Sequence, residues 1–348
     1  MRIAIITSRA TSLMNVARDI AFVVERKGYT PLLLDYMVPA SSLKMISDAV
    51  IVVMTMNPLI ARSWLLLSRD AKKLGLPSFV YTTVEGRLPR RYIQPWMMRE
   101  VDFIANSNYT RIMLEQSGLN VIDMVYHGVN FQEIEDALKF KKQARKFIEE
   151  KLGKGVYFGT VVSGHPRKGL RLYAQVVKQV VEKNKEAKFY ILTTNEALPI
   201  FAGVKNVVID KMFGKRRKNE VLALISAFDY YVHPSLAEGF GLPVLEAMAL
   251  GVPTIHLAYE PLSEFSSNDF SYQVPFTRVE YNSFGEGIEY ELHLYDTNAF
   301  AETILAALDT FKKKPEIYND MRAKALKAAK KYDIMKLYPK LLEHLGLK

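Results

Sequence analysis

Two glutamates, Glu238 and Glu246, stand on either side of a glycine-rich turn, and this pattern could bind a hydroxylated anion. Gly239 and Gly241 allow the backbone to turn tightly and to approach a ligand closely. Pro243 suits the first position of a helix, where a missing N–H group costs nothing. A helix that opens at this turn points free N–H groups outward. We therefore expect an anion, such as a phosphate, to bind at the turn.

The two carboxylates beside this anion site indicate what else the ligand carries. An ionised carboxylate only accepts hydrogen bonds, so Glu238 and Glu246 cannot bind phosphate but can bind hydroxyl groups. A ligand with hydroxyls at both ends of a phosphate bridge matches this arrangement. A nucleoside-diphosphate sugar has that shape, since ribose lies at one end and a hexose at the other. The alternative is an ordinary strand, turn and helix with two surface glutamates.

A second segment, residues 163–170, carries cations that could neutralise a diphosphate. Arg167 offers a planar fork of donors, and Lys168 offers a compact point charge. Gly169 lets the backbone at the start of the following helix come close to a ligand. We therefore expect Arg167 and Lys168 to stabilise a diphosphate leaving group. Two ordinary surface cations are the alternative.

The segment from Pro234 to Pro253 reads P-S-x-x-E-G-F-G-L-P-x-L-E-A-M-A-x-G-x-P and resembles the signature of the family 4 retaining glycosyltransferases. The resemblance implies a GT-B fold, in which two Rossmann-like domains face a cleft. It also implies that Glu238 binds hydroxyls of the donor sugar near the reacting centre, and that Glu246 binds the ribose hydroxyls. The backbone that would hold the diphosphate or the sugar belongs to Gly239, Phe240, Gly241 and Leu242.

In this family an early Gly-Arg pair and a later Lys-Gly pair supply the cations for the diphosphate. Lys168 and Gly169 match the later pair. Gly164 matches the early glycine. The position of the arginine is either occupied by His165 or lost to a shorter loop, and Arg167 is a candidate to substitute for it. The resemblance further implies retaining transfer through an oxocarbenium-like transition state. In that reaction the departing phosphate helps to accept the proton of the acceptor hydroxyl, and the cations stabilise its developing charge.

Two departures from the family pattern lie on the acceptor side. The connection after the first strand contains Thr11 and Ser12 in place of the glycine pair that the family usually has beside the donor phosphates. It also lacks the G-x-G-x-x-G motif, so a nicotinamide enzyme is not expected. Glu85 follows the fourth strand, where many family members have a histidine that points at the reacting sugar. We assign Ser12 and Glu85 to the acceptor side, where Glu85 either binds an acceptor hydroxyl or is an ordinary loop residue.

Basic and aromatic residues follow Glu85 and form a further candidate acceptor region. They could receive an anionic or lipid-linked acceptor, or they could belong to a helix with a solvated face. The five residues are Arg87, Arg90, Arg91, Tyr92 and Trp96.

The sequence shows no pattern of a metal centre, and we predict a metal-independent reaction without a cofactor. No Asp-x-Asp motif, which commonly holds a divalent cation on the diphosphate, occurs in the chain. The six histidines show no H-E-x-x-H or similar spacing, and there are no cysteines. The expected small-molecule partners are the nucleotide-sugar donor and a hydroxyl acceptor, which could be a glycan, a lipid or a protein.

Length and composition favour a two-domain cytoplasmic protein. A chain of 348 residues, 49% of them hydrophobic, can form two cores. It has no run of about 18 apolar residues, its start reads as a strand rather than a signal peptide, and it lacks cysteine. The net charge of +10 predicts an anionic partner. Nucleotide phosphates or an anionic membrane surface, with the protein peripheral to it, would fit, whereas nucleic acid is not expected without a recognition motif.

Apolar strands that alternate with helices predict an α/β protein with two parallel sheets, each covered on both faces. Residues 1–132 form the predicted acceptor domain and residues 133–331 the predicted donor domain. Residues 332–348 resemble the terminal helix that crosses back onto the first domain in GT-B proteins. We expect one charged helix over residues 131–152 and an inserted hairpin over residues 276–295.

The sequence therefore predicts a retaining hexosyltransferase that moves a sugar from a nucleotide-diphosphate sugar to a hydroxyl group. A GT-B epimerase or phosphorylase is one alternative. A non-catalytic protein that binds nucleotide sugars or a membrane surface is another. The altered phosphate loops favour the non-catalytic alternative, whereas Glu238, Glu246 and Lys168 argue against it.

Overall fold

Two six-stranded parallel sheets organise the chain, and the computed structural model describes residues 1–347 of it. β1 (Arg2–Thr7) is typical of their strands, because every residue after its first is buried. Such apolar runs are expected where helices cover both faces of a sheet. The other strands of the first domain are β2 (Thr30–Leu34), β3 (Ala49–Thr55), β4 (Ser78–Thr83), β5 (Gly86–Arg87), β6 (Phe103–Ala105) and β7 (Val121–Met124).

All of these strands except β5 form the first sheet, in the order β2-β1-β3-β4-β6-β7. Its helices are α1 (Thr11–Arg26), α2 (Ala40–Ile46), α3 (Arg62–Lys73), α4 (Pro95–Arg99) and α5 (Asn108–Gln116). The helix α1 buries Val16, Ile20 and Val24 on one face, at the spacing of an amphipathic helix. These side chains pack in one cluster with Ile3 and Ile5 of β1.

The second sheet has the strand order β10-β9-β8-β11-β12-β13, which is the Rossmann order 3-2-1-4-5-6. Its strands are β8 (Val156–Val161), β9 (Ala187–Leu192), β10 (Val207–Asp210), β11 (Tyr230–His233), β12 (Thr254–Leu257) and β13 (Ser271–Val274). The order reverses between β8 and β11, which pair directly. Ligands of such sheets bind at the carboxyl ends of the strands at this switch point.

Ten helices follow the first sheet within the described residues. They are α6 (Phe131–Leu138), α7 (Lys141–Leu152), α8 (Leu170–Lys183), α9 (Lys218–Ser226), α10 (Leu242–Ala249), α11 (Leu262–Phe265), α12 (Thr297–Lys313), α13 (Pro315–Ala329), α14 (Ile334–Leu337) and α15 (Pro339–Glu343). The prediction of a single charged helix over residues 131–152 is wrong in one respect. The chain forms α6 and α7, because Phe140 between them has a ψ of 2°, outside the helical range.

A third sheet, antiparallel and three-stranded, joins the two domains. The inserted hairpin expected over residues 276–295 is present as β14 (Arg278–Asn282) and β15 (Glu289–Leu294). β15 also pairs with β5 of the first domain, where Tyr290 lies opposite Gly86. A Cβ atom at Gly86 would lie 2.1 Å from the carbonyl oxygen of Glu289, so this pairing requires glycine.

The end of the chain returns to the first domain, as the GT-B resemblance implies. Val129 and Asp333 form an isolated parallel bridge just before α14. Tyr338 is 1% exposed and packs edge-on against Tyr81, with 6.1 Å between the ring centroids. Its hydroxyl accepts a hydrogen bond from the backbone N–H of Gly128 at 3.2 Å.

The terminal segment forms two short helices rather than the single helix expected from the sequence. Pro339 begins α15 and has no N–H to donate, so the hydrogen bonds of α14 end there. Lys348, the last residue of that predicted helix, lies outside the described residues. The division of the chain into residues 1–132, 133–331 and 332–348 stays a proposal.

Tyr338→Ala should lower the free energy of unfolding by about 3–5 kcal/mol, because it removes a buried ring and leaves a cavity against β4. Met335→Ala, at a position that is 39% exposed in the same segment, is the matched control. It should change that free energy by less than about 1 kcal/mol. Urea unfolding followed by circular dichroism measures both values, and equal losses would contradict the packing described here.

Candidate active site

The candidate active site lies where the loops that follow β8 and β11 meet, at the switch point of the second sheet. The backbone N–H of Leu236 donates to the carbonyl oxygen of Arg167 at 2.8 Å and ties the two loops together. Gly169 has a φ of +68°, and a Cβ atom there would lie 2.4 Å from the carbonyl oxygen of Pro234. Glycine is therefore needed for the two loops to approach each other.

Glu238 lies at the centre of this site and is 7% exposed. One carboxylate oxygen, Oε1, accepts from the ammonium group of Lys168 and lies 2.8 Å from Nε2 of His233. The other, Oε2, lies 3.7 Å from Nη1 of Arg167. Burial alone would raise the pKa of Glu238, but the charge of Lys168 and the hydrogen bond from His233 hold it well below its usual value. Glu238 is therefore an ionised, buried carboxylate.

His233 positions this carboxylate. Burial lowers the pKa of His233 below its usual value, although the bond to Glu238 acts in the opposite direction. Because ionised Glu238 can only accept a hydrogen bond, Nε2 of His233 carries the proton that it donates. Nδ1 lies 3.4 Å from the hydroxyl oxygen of Tyr231 on the other side of the ring. A neutral imidazole thus links the end of β11 to the carboxylate.

Arg167 connects the site to the first domain. Its Nη2 lies 2.6 Å from Oε1 of Glu85, and its Nη1 donates to the carbonyl oxygen of Ala237 at 2.9 Å. Its Nε is buried and has no partner among the described residues. The structure thus places four of the predicted residues in one network, in which two cations balance two carboxylates: Glu85, Arg167, Lys168 and Glu238.

His165 and Gly164 have partners of their own beside this network. Nε2 of His165 lies 3.0 Å from Oε1 of Glu286, in the loop between β14 and β15. The hydroxyl of Tyr290 donates to the other oxygen of Glu286 at 2.5 Å. The N–H of Gly164 donates to the hydroxyl oxygen of Thr194 at 2.9 Å. Sequence reasoning missed Glu286 and Tyr290, and the only signal for them was the unexplained hairpin.

The glycine turn before α10 touches the first domain. The carbonyl oxygen of Gly239 accepts from the hydroxyls of Ser107 at 3.1 Å and Thr110 at 3.4 Å. A Cβ atom at Gly239 would lie 2.0 Å from the hydroxyl oxygen of Thr83, so glycine is required here. Gly241 has a φ of +98° and precedes the first residue of α10.

The start of α10 has no side-chain cap within residues 1–347, as the predicted anion site at the glycine turn requires. An uncapped N-terminus leaves free N–H groups. Pro243 is the second helical residue rather than the expected first, because Leu242 already has helical geometry. The ring of Phe240 stacks on that of Phe265, with 5.0 Å between the centroids. Gly251, with a φ of +67°, follows the helix end as expected.

Glu246 faces a different cluster from that of Glu238. The ammonium nitrogen of Lys218 lies 2.9 Å from Asp19 of the first domain and 2.7 Å from Glu133. Burial raises the pKa of Glu246 to about 7; Lys218 opposes the rise, and the two other carboxylates add to it. Sequence reasoning missed Lys218 and Asp19, and no sequence signal joins positions that are 199 residues apart.

Ser12 lies exposed in the first turn of α1 and is not among the residues that contact Glu238. The hydroxyl of Thr11 beside it lies 3.3 Å from where a Cβ atom of Gly214 would be, so this turn faces the loop after β10. No group of three or more potential metal ligands occurs within residues 1–347. None of the helices in that part of the chain has the length and apolar character needed to span a bilayer.

Comparison with known sequences points to glycosyltransferases. The family profile "Glycosyl transferases group 1" matches residues 154–276, which include the loops after β8 and β11. The chain is 28% identical over 356 residues to "Uncharacterized glycosyltransferase 335" of Sulfolobus islandicus rod-shaped virus 1. That similarity covers 99% of this chain and 100% of the viral protein.

Comparison with solved structures shows the GT-B fold. A glycosyltransferase from Rickettsia africae ESF-5 has a TM-score of 0.73 at 14% identity, over 99% of this chain and 97% of its own. HepE from Anabaena, solved with UDP and glucose, has a TM-score of 0.67 at 13% identity, over 99% of both chains. Sucrose-phosphate synthase from Thermosynechococcus elongatus has a TM-score of 0.69 at 13% identity, over 99% of both chains. Together with the sequence matches, this fold supports a GT-B glycosyltransferase.

Glu246→Gln should flatten the pH dependence of stability between pH about 4.5 and about 7. The pKa of Glu246 is raised on folding, so the native state binds more protons in this window and wild-type stability falls as pH rises. At pH 8 the variant should gain about 1–3 kcal/mol relative to the wild type, since one pKa unit corresponds to about 1.4 kcal/mol. Urea unfolding across this range measures the effect.

The matched control for this experiment is Glu135→Gln, because Glu135 is an exposed carboxylate on α6. Its pH profile should follow that of the wild type. Identical profiles for the wild type and Glu246→Gln would contradict the electrostatic description of the cluster around Lys218.

Proposed function

We propose that this protein is a retaining, metal-independent glycosyltransferase that moves a sugar from a nucleotide-diphosphate sugar to a hydroxyl group. The observation that carries the proposal is the pair of cations, Lys168 and Arg167, around Glu238 beside the uncapped start of α10. Cations and a helix N-terminus suit a diphosphate, and a carboxylate suits sugar hydroxyls. The structure of the similar protein HepE with UDP and glucose supports a donor of this type.

Donor binding would exchange the partners of the two cations. In the structure, Lys168 pairs with Glu238 and Arg167 pairs with Glu85, so both positive charges are compensated. Phosphate oxygens would replace these carboxylates, and Glu238 could then accept hydrogen bonds from sugar hydroxyls. As the bond between sugar and phosphate breaks, the two cations would stabilise the charge that develops on the diphosphate.

We assign the proton of the acceptor hydroxyl to the departing phosphate, as the resemblance of residues 234–253 to the family 4 retaining glycosyltransferases implies. The acceptor oxygen attacks the sugar carbon from the face that the phosphate leaves, so the configuration is retained.

The proposed reaction needs no metal ion, and the proposed location is the cytoplasm. Arg167 and Lys168 would supply the positive charge that a divalent cation supplies in other transferases, and the sequence has no Asp-x-Asp motif. A cytoplasmic location is supported by the lack of cysteine. The net charge of +10 would favour reversible contact with an anionic membrane surface.

A nucleotide-sugar donor should raise the melting temperature of the protein, because it binds the native state alone. We would screen UDP-glucose, GDP-mannose and ADP-glucose by thermal shift, with and without EDTA. One donor should produce a rise that EDTA leaves unchanged, and Lys168→Ala and Glu246→Ala should each weaken its binding about tenfold or more. Lys178→Ala, at an exposed position of α8, is the control and should bind like the wild type. No rise with any donor would contradict the proposal.

Glu238→Gln should lower kcat for sugar transfer or donor hydrolysis about 100-fold or more, while donor affinity changes by only a few-fold. Glutamine keeps the size of the side chain but removes the charge near the developing oxocarbenium ion. Proton NMR in the first minutes of hydrolysis reports the anomer released, which should have the configuration of the donor. An inverted product, or full activity of the variant beside the exposed control Glu182→Gln near the end of α8, would refute the mechanism.

A further inference from the structure

A cavity of about 580 Å³ lies between the first domain and the β14–β15 hairpin. This volume falls within the range of pockets that hold small-molecule ligands. The residues that matter to its chemistry are Arg87, Arg91, Tyr92, Tyr281 and Glu289. Two positive charges and one negative charge therefore line the cavity, and the excess is positive.

Each of the two arginines is held over an aromatic ring. The guanidinium carbon of Arg87 lies 3.9 Å from the ring centroid of Tyr281, and that of Arg91 lies 4.9 Å from the ring centroid of Tyr92. Stacking of this kind orients the guanidinium group and leaves its N–H donors available. Neither arginine has a carboxylate oxygen within ion-pair distance in the described part of the chain, although Arg91 donates a hydrogen bond to the side chain of Tyr92 and is attracted by the charge of Glu289. Oriented guanidinium groups of this kind are suited to an oxyanion.

Residues next to both walls of this cavity contact the candidate active site. On the first wall, Glu85 lies two residues before Arg87 and contacts Arg167 at 2.6 Å. On the second wall, Glu286 lies between two cavity-lining glycines and contacts His165 at 3.0 Å. A molecule in the cavity would therefore lie next to the residues assigned to the donor diphosphate.

We propose that this cavity binds the acceptor, and that the acceptor carries a phosphate or a carboxylate in addition to the hydroxyl that receives the sugar. The inference rests on the proposed glycosyltransferase function and adds the class of acceptor to it. Arg87 and Arg91 hold the oxyanion, and the adjoining donor site receives the hydroxyl end. The hairpin thus contributes a wall of the acceptor site from the second domain.

The test uses the full-length protein with glucose 6-phosphate, glucuronate and glucose as probes. Isothermal titration calorimetry measures the affinity for each in the presence of the nucleotide diphosphate of the donor found by thermal shift. At least one anionic sugar should bind tenfold or more tightly than glucose, and the better one identifies phosphate or carboxylate as the group recognised. Arg87→Gln and Arg91→Gln should each weaken that binding tenfold or more, without changing the affinity for the nucleotide.

The matched control is Arg99→Gln, because Arg99 is an exposed arginine of the nearby helix α4 that does not line the cavity. Its affinities should stay within twofold of the wild type. Normal nucleotide binding with no preference for either anionic sugar would overturn the acceptor inference and leave the transferase proposal intact. A loss of nucleotide affinity in Arg87→Gln would also overturn it, since the arginine would then serve the donor. Failure of all nucleotides to bind would refute the proposed function itself.

Discussion

The buried charge of Glu238 is the constraint on which the candidate site depends. A carboxylate removed from water is strongly destabilising unless it is paired and hydrogen-bonded. Here Lys168 and His233 bind one oxygen, and Arg167 lies near the other. Lys168 and Arg167 come from the loop after β8, whereas Glu238 lies in the loop after β11, so the charge can be accommodated only while the two loops stay together. The close contact at Gly169 makes that possible.

The same network couples the two domains. Arg167 reaches Glu85 of the first domain, and the turn at Gly239 accepts hydrogen bonds from Ser107 and Thr110 of that domain. A ligand that takes over the cations would release Glu85 and loosen one of these links. Donor binding and the relative position of the domains are therefore expected to depend on each other.

Much of the charged network of the candidate site could be predicted because its residues are local. Glu238 and Glu246 belong to one strand, turn and helix, and Arg167 and Lys168 belong to one short loop at the neighbouring strand. Parallel-sheet topology then brings the two loops together without further information. The two parallel sheets were predicted from the regular alternation of apolar strands and helices, and the GT-B fold was predicted from the resemblance of residues 234–253 to a known signature.

The partners that were missed lie far apart in the sequence. His165 and Glu286 are 121 residues apart, and Lys218 and Asp19 are 199 residues apart. No local spacing predicts such pairs, because they depend on how the domains and the hairpin pack. The two-residue strand β5 was missed for a related reason, since only the edge of β15 opposite it gives those residues an extended partner. The breaks at Phe140 and Pro339 have a different, local cause. At each position the backbone leaves the helical conformation inside a stretch whose sequence pattern predicts one continuous helix.

The position of the hairpin in the chain has a consequence for how the protein could diversify. β14 and β15 leave after β13 and return before α12, so they interrupt neither parallel sheet. The loop between them, which includes Gly285 and Gly287 of the cavity wall, can change in length or sequence without shifting the register of the strands that carry the cations. Mutations there would reshape the cavity, while the parallel strands that carry Arg167, Lys168 and Glu238 keep their register. The hairpin loop and the sheet can therefore change independently, except where Glu286 contacts His165.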